Sequence, residues 1–89
     1  MKTPLTLYHL SYCPFCQKVR RAADELGLEL GLVDITEDST ARSVLLQARG
    51  RATVPVLRIP EDHGDRFLGE SDDIVAFLHS WAESVRKAA

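Results

Sequence analysis

The sequence predicts an α/β fold in which helices cover a four-stranded mixed sheet. Segments with strand and helix periodicity follow one another in the order β-α-β-α-β-β-α. The length of 89 residues suffices for one hydrophobic core, so we expect a single domain over residues 1–89. Hydrophobic residues make up 45% of the chain and charged residues 27%, the balance of a globular protein. Together these observations favour an α/β sandwich.

The first half of the chain predicts a strand, a helix and a second strand. Leu5–Leu10 alternates and is rich in β-forming residues, which is typical of a strand. Pro14 suits the first position of a helix, where no N–H is needed, and we expect the helix to end near Leu26, before Gly27. The apolar run Leu28–Ile35 predicts a buried strand, parallel to the first after a right-handed crossover.

The second half predicts a helix, a hairpin and a final helix. Asp38 and Ser39 are capping residues before a segment of helical periodicity that stops at Gly50. The stretches "VPVLRI" and "RFLG" flank the turn-rich "PEDHGD", which favours an antiparallel hairpin. Ser71 is expected to cap the last helix, whose apolar residues recur on one face.

Charge and hydropathy exclude several classes of partner. A net charge of -2 provides no basic field for nucleic acid. No stretch approaches the roughly 18 apolar residues of a membrane span, and the N-terminus lacks the apolar run of a signal peptide. We therefore expect a cytoplasmic protein whose cysteines are kept reduced. We also expect the protein to be a monomer.

The segment "CPFC" holds both cysteines of the chain, Cys13 and Cys16. A disulfide between them would close so short a loop that it contributes about 2 kcal/mol at best. A structural zinc needs four ligands, and the histidines lie in no second paired motif, so we expect no metal. At a helix start, however, unpaired N–H groups and the helix dipole stabilise a thiolate. The pair is therefore predicted to be redox-active, with Cys13 as the nucleophile.

Three motifs in order, "CPFC", "TVP" and "GESDD", resemble the signatures of the glutaredoxin family across nearly the whole chain. The resemblance implies a thioredoxin-like fold, glutathione as the thiol donor, and reduction of protein disulfides and protein–glutathione mixed disulfides. It also implies a cis peptide bond before Pro55, which turns the backbone of Val54 toward the cysteinyl unit of glutathione. Thr53 and Pro55 of the same motif are expected to belong to the glutathione site.

The start of the last helix is the expected site for the γ-glutamyl end of glutathione. Helix N-termini bind anions, so backbone N–H groups at Ser71 and Asp72 are expected to bind its carboxylate. Its ammonium group is expected to pair with Asp72 or Glu70. Glycine is usual in glutaredoxins where Glu70 stands, and a Glu-Ser pair resembles the N-terminal domains of glutathione S-transferases, so the choice between the two acids stays open.

Leu10 is a second departure, because glutaredoxins commonly have a lysine three residues before the nucleophile. Arg51 is a substitute for the contact of that lysine with the glycine carboxylate of glutathione, or equally an ordinary solvated loop arginine. Phe15, an aromatic residue between the cysteines, is expected to pack on the substrate.

We thus predict a glutathione-dependent thiol–disulfide oxidoreductase, with glutathionylated or disulfide-containing proteins as partners and no cofactor besides glutathione. One alternative is a glutathione S-transferase-like protein, although the sequence ends at Ala89 and we expect no helical domain for the electrophile. Another is a carrier that bridges an iron–sulfur cluster between two chains through Cys13 and glutathione. Pro14 disfavours the carrier, because its relatives more often have glycine after the cysteine.

Overall fold

The computed structural model describes residues 1–88, which form four strands and three helices in the predicted order. The strands are β1 (Lys2–His9), β2 (Glu29–Asp34), β3 (Val56–Ile59) and β4 (Arg66–Leu68), and the helices are α1 (Pro14–Glu25), α2 (Ser39–Arg49) and α3 (Ser71–Ala88). The predicted α/β fold with a four-stranded mixed sheet is confirmed. Among residues 1–88, no helix has the length and apolar character needed to cross a bilayer.

The sheet has the strand order β2-β1-β3-β4. β2 runs parallel to β1, as predicted, and β3 pairs antiparallel with both β1 and β4. In the central pairing Leu7 lies opposite Leu57 and Tyr8 opposite Val56. The interior position of β1 fixes its carboxyl end, and the loop that follows it ends at Cys13, where α1 begins.

The two faces of the sheet support separate hydrophobic clusters. Neighbouring residues of β1 contribute to different clusters, because successive side chains of a strand point to opposite faces of the sheet. Leu7 packs with residues of α1 and α3, including Val19 and Leu78, whereas Tyr8 packs with α2 residues such as Leu45. The sheet is therefore covered on both faces, as in a sandwich.

The ends of α2 are formed as the sequence predicts. The side chain of Asp38 accepts a hydrogen bond from the backbone N–H of Ala41 at 3.1 Å. At the other end Gly50 adopts a φ of 77°, and its N–H donates to the carbonyl of Leu46 at 2.8 Å. A left-handed residue stops the helix, and glycine adopts that conformation without steric cost. Arg49 is consequently the last residue of α2.

The prediction that Leu28–Ile35 forms a buried strand is wrong. The strand is the shorter β2, which lies at the edge of the sheet, and the side chain of Leu32 is 52% exposed. Leu28 and Ile35 are buried, but they flank the strand. An apolar run alone does not distinguish an interior strand from an edge strand that is bounded by buried residues.

The predicted capping role of Ser71 is also wrong. α3 begins at Ser71, and the carbonyl of Glu70 accepts the N–H of Ile74 at 3.0 Å, so Glu70 occupies the capping position. Glu70 has a φ of 63°, in the left-handed region that non-glycine residues rarely adopt. The acidic residues Asp72 and Asp73 lie in the first turn, where the helix dipole stabilises negative charge.

Candidate active site

Cys13 lies at the junction between the loop after β1 and helix α1. It has extended backbone angles, φ -80° and ψ 120°, and its carbonyl accepts the N–H of Gln17 at 2.9 Å. Pro14 follows as the first helical residue, where it leaves no N–H unpaired. The side chain of Cys13 is partly exposed. The structure thus places a reachable thiol at the N-terminus of a helix.

Cys16 lies one turn further along α1 and is 0% exposed. Both cysteines are free thiols, and a hydrogen bond between their side chains affects the pKa of each. Proximity allows the two residues to form a disulfide, but only Cys13 is open to a second molecule.

The surroundings of the two thiols shift their pKa values in opposite directions. Burial by itself raises the pKa of Cys13, but hydrogen bonds from the N–H and thiol of Cys16 and from the N–H of Phe15 outweigh it, so the pKa is lowered. Burial raises the pKa of Cys16 to about 11, and the hydrogen bond with Cys13 adds to that rise. Cys13 is therefore the thiol that ionises first.

Side chains of α1 fasten the loop that precedes Cys13. The carbonyl of Ser11 accepts hydrogen bonds from Gln17 Nε2 at 3.1 Å and from Arg20 Nη2 at 3.2 Å. The N–H of Cys13 donates to the carbonyl of Leu10 at 3.2 Å. These bonds hold the nucleophile in a fixed relation to the helix N-terminus.

A cleft of about 370 Å³ opens beside the cysteine loop. It contains all eight residues that the sequence predicts for glutathione binding, on α1, on the loop before β3 and at the start of α3: Phe15, Arg51, Thr53, Val54, Pro55, Glu70, Ser71 and Asp72. Neither cysteine lines the cleft itself, but Phe15 lies between them in the chain and forms part of its wall. The fold thus brings segments distant in sequence to one site beside the thiol.

The peptide bond between Val54 and Pro55 is cis, as the family resemblance implies. Pro55 is buried, Val54 is half-buried and Thr53 is exposed. These residues form the wall of the cleft that leads into β3.

Basic and acidic side chains pair across the site. Lys18 Nζ of α1 contacts the carboxylate of Asp72, and Arg51 Nη2 lies 4.0 Å from Glu70 Oε1. All four side chains are more than half exposed, and ion pairs of this kind contribute at most about 1 kcal/mol. A bound ligand with its own ammonium and carboxylate groups can therefore replace either pair at small cost.

Two residues of the cleft, Arg49 and Gly69, were not predicted from the sequence. Gly69 belongs to the "GESDD" motif, which is the one signal that pointed to this position. Arg49 resembles any other polar residue at the end of an amphipathic helix, and only the tertiary structure brings it to the cleft.

Within residues 1–88, no group of three or more Cys, His, Asp or Glu side chains is arranged to hold a metal ion.

Comparison with known proteins relates this chain to glutaredoxins and to glutathione S-transferases. The chain is 32% identical over 76 residues to glutaredoxin-1 of Rhizophagus irregularis, covering 82% of this chain and 71% of the relative. The family model described as the N-terminal domain of glutathione S-transferase matches residues 7–85. The chain belongs to the glutaredoxin family and to the glutathione S-transferase N-terminal domain family.

Solved structures show the same two relationships. This family member superimposes on wheat glutaredoxin with a TM-score of 0.66 and 27% identity, over 83% of this chain and 69% of the other. It superimposes on a maleylacetoacetate isomerase from Anaeromyxobacter dehalogenans, solved with bound dicarboxyethyl glutathione, with a TM-score of 0.67 and 25% identity. That match covers 89% of this chain but only 37% of the isomerase. The thioredoxin-like fold is thus confirmed.

Proposed function

We propose that this chain is a glutathione-dependent thiol–disulfide oxidoreductase that reduces protein–glutathione mixed disulfides. The glutaredoxin relatives support glutathione-dependent thiol oxidoreductase activity in general. The observation that carries the proposal is the asymmetry of the cysteine pair. Cys13 is reachable and its pKa is lowered, whereas Cys16 is buried and its pKa is raised to about 11.

The first step is attack of the Cys13 thiolate on the glutathionyl sulfur of the substrate. A bond forms between Cys13 Sγ and that sulfur as the bond to the substrate protein breaks. The electron pair leaves with the protein sulfur, which takes up a proton and becomes a thiol. Cys13 is left in a mixed disulfide with glutathione.

In the second step a glutathione thiolate from solution attacks the glutathionyl sulfur on Cys13. This releases glutathione disulfide and restores the Cys13 thiolate, so one protein thiol is formed for each glutathione consumed. Because a lower thiol pKa makes a better leaving group, the environment that activates Cys13 for attack also assists its release.

The cleft supplies recognition in this proposal. The backbone of Val54 pairs with the cysteinyl unit, and the N–H groups of Ser71 and Asp72 at the start of α3 bind the γ-glutamyl carboxylate. Asp72 or Glu70 exchanges its present basic partner for the ammonium group. Arg51 binds the glycine carboxylate.

Cys16 has a narrower role, in substrates with an intramolecular disulfide. There the attack of Cys13 leaves a mixed disulfide with the substrate protein, and the Cys16 thiolate then attacks Cys13 Sγ. A Cys13–Cys16 disulfide forms as the bond from Cys13 to the substrate sulfur breaks, and the substrate leaves with both of its sulfurs as thiols. Two molecules of glutathione then reduce the Cys13–Cys16 disulfide and leave as glutathione disulfide. Its hydrogen bond to Cys13 supports this role, because the two sulfur atoms are already neighbours. The proposal also includes action as a monomer in the cytoplasm, where cysteine thiols are kept reduced.

The experiment is turnover of a glutathionylated peptide by two matched variants. Cys13→Ser is expected to abolish turnover, whereas Cys16→Ser is expected to keep a substantial fraction of it. Equal loss in both variants would contradict resolution by glutathione, and a fully active Cys13→Ser variant would contradict the nucleophile assignment.

A second candidate function is conjugation of glutathione to electrophiles. The match of residues 7–85 to the transferase N-terminal domain and the Glu70-Ser71 pair favour it. Turnover of a chloronitrobenzene with glutathione distinguishes the two functions. A conjugating protein retains this activity when Cys16 is replaced by serine and fails to reduce the glutathionylated peptide.

A further inference from the structure

Arg49 lines the cleft, and most of the hydrogen-bond donors of its guanidinium have no partner in the part of the chain that the structure describes. It ends α2, is half-buried, and donates from Nη1 to the carbonyl of Phe67 at 3.2 Å. Its Nε is buried and has no hydrogen-bond partner within residues 1–88. A guanidinium carries five N–H donors, so one hydrogen bond leaves most of its capacity open.

The guanidinium also lies against the backbone of Gly69. A Cβ built on Gly69 would stand 2.5 Å from Arg49 Nη2 and 2.8 Å from Arg49 Cζ. Gly69 is buried and its φ is outside the left-handed region, so close approach, not backbone conformation, requires glycine here. Arg49 is thereby held against Gly69, which lies two residues before the start of α3 at Ser71.

Arg49 differs from the other basic residues at the site because its charge is not paired with a carboxylate of the described chain. Lys18 and Arg51 each have a carboxylate partner, whereas no carboxylate of residues 1–88 lies within 4.0 Å of the Arg49 guanidinium. Arginine stays protonated at all accessible pH values. A half-buried, uncompensated guanidinium in a cleft matches a carboxylate of the ligand, with which it forms charge-assisted hydrogen bonds.

We infer that Arg49 is a binding residue of the cleft and serves the γ-glutamyl carboxylate of glutathione. The inference rests on the proposed function, which puts this end of glutathione at Ser71 and Asp72. The contact with Gly69 and the hydrogen bond to Phe67 hold Arg49 against the segment that leads into α3, in the same cleft as Ser71 and Asp72. Gly69 accordingly serves binding by leaving room for the guanidinium.

Two variants remove this contact by different means. Arg49→Gln removes the charge, and Gly69→Ala displaces the guanidinium while keeping it in the chain. Displacement is tolerated by the fold, because the atoms that a Cβ meets are the far end of a flexible side chain. Arg21→Gln is the matched control, since Arg21 is exposed on α1 and lies outside the cleft.

Each variant is expected to raise KM for glutathione about tenfold, which corresponds to about 1.4 kcal/mol, with little change in kcat. The rate of Cys13 alkylation by iodoacetamide should stay at the parent value. The double variant should bind glutathione no more weakly than Arg49→Gln alone, because both changes remove the same interaction. An additive loss in the double variant would overturn the role given to Gly69.

Two thiols shorter than glutathione show which of its two carboxylates Arg49 binds. The effect of Arg49→Gln should persist with γ-glutamylcysteine, which lacks the glycine, and vanish with cysteinylglycine, which lacks the γ-glutamyl group. The reverse pattern would overturn the assignment to the γ-glutamyl end.

The outcomes separate this inference from the proposed function. If the parent turns over and Arg49→Gln leaves KM unchanged, the role of Arg49 is overturned and the proposed function stands. If the parent does not turn over, the proposed function is overturned, and binding of glutathione measured by NMR tests Arg49 alone. Weaker binding of glutathione by Arg49→Gln than by the parent then supports the role of Arg49. Equal binding in both proteins, or no binding in either, overturns that role.

Discussion

Replacement of Cys16 by alanine tests how strongly the buried cysteine lowers the pKa of Cys13. In the structure Cys16 contributes two hydrogen bonds to Cys13, one from its backbone N–H and one from its thiol. The Cys16→Ala variant keeps the first and removes the second. Cys16→Ser is the matched control, because a hydroxyl at the same position still donates.

The expected magnitude follows from the value of one hydrogen bond. A net contribution of about 0.5–1.5 kcal/mol, divided by the 1.36 kcal/mol that corresponds to one pKa unit, gives a rise of about 0.4–1.1 units in Cys16→Ala. The remaining backbone N–H groups and the helix N-terminus should still stabilise the Cys13 thiolate in this variant. In Cys16→Ser the pKa should stay within a few tenths of the parent.

The assay is the pH dependence of alkylation by iodoacetamide, with the modified residue identified by mass spectrometry. Cys16 interferes little in the parent, because a pKa of about 11 leaves only about one molecule in ten thousand as thiolate at pH 7. Equal pKa values for Cys13 in the alanine and serine variants would refute a contribution from the Cys16 thiol. A parent value near 8.5 would refute the wider argument that this helix N-terminus activates the nucleophile.

Three further predictions concern the surroundings of the site. Leu10→Lys should lower the pKa of Cys13 by less than one unit, and added salt should weaken the effect; a shift of several units in alkylation profiles would show that the helix N-terminus contributes little. Burial and the charge of Arg20 lower the pKa of His9, so the unfolded state binds the proton first and urea-derived stability should fall as pH drops below about 6.5. His9→Asn should remove this loss, and an unchanged pH profile would exclude His9 as its source. Glu70→Gly should stabilise the fold by about 1 kcal/mol in urea by relieving the left-handed backbone, and a destabilised variant would contradict that strain.

Local signals predicted the parts of the fold and site that depend on neighbouring residues. Pro14 and Cys13 mark the start of α1, and Asp38 and Gly50 bound α2, because caps and turns are decided within a few residues. The three motifs predicted which segments meet in the cleft, and the fold brings them together there.

Contacts between distant residues could not be predicted in this way. The approach of Arg49 to Gly69 joins the end of α2 to the loop before α3, and no periodicity in either segment encodes it. The exposure of Leu32 likewise depends on strand order, which leaves β2 with one neighbour. The shift of the α3 cap from Ser71 to Glu70 required a left-handed glutamate, which residue preferences argue against.

The edge position of β2 has a consequence for self-association. An edge strand presents unpaired backbone groups on which another chain can add a strand, and the centre of β2, with Gly31 and Leu32 exposed, carries no charge. Its two ends are Glu29 and Asp34. In an in-register parallel pairing of two copies each acid would face its own counterpart, and in an antiparallel pairing Glu29 would face Asp34. Both orientations bring like charges together across the new ladder, so the charges that bound this strand at neutral pH act as a guard against fibre-like growth along the sheet.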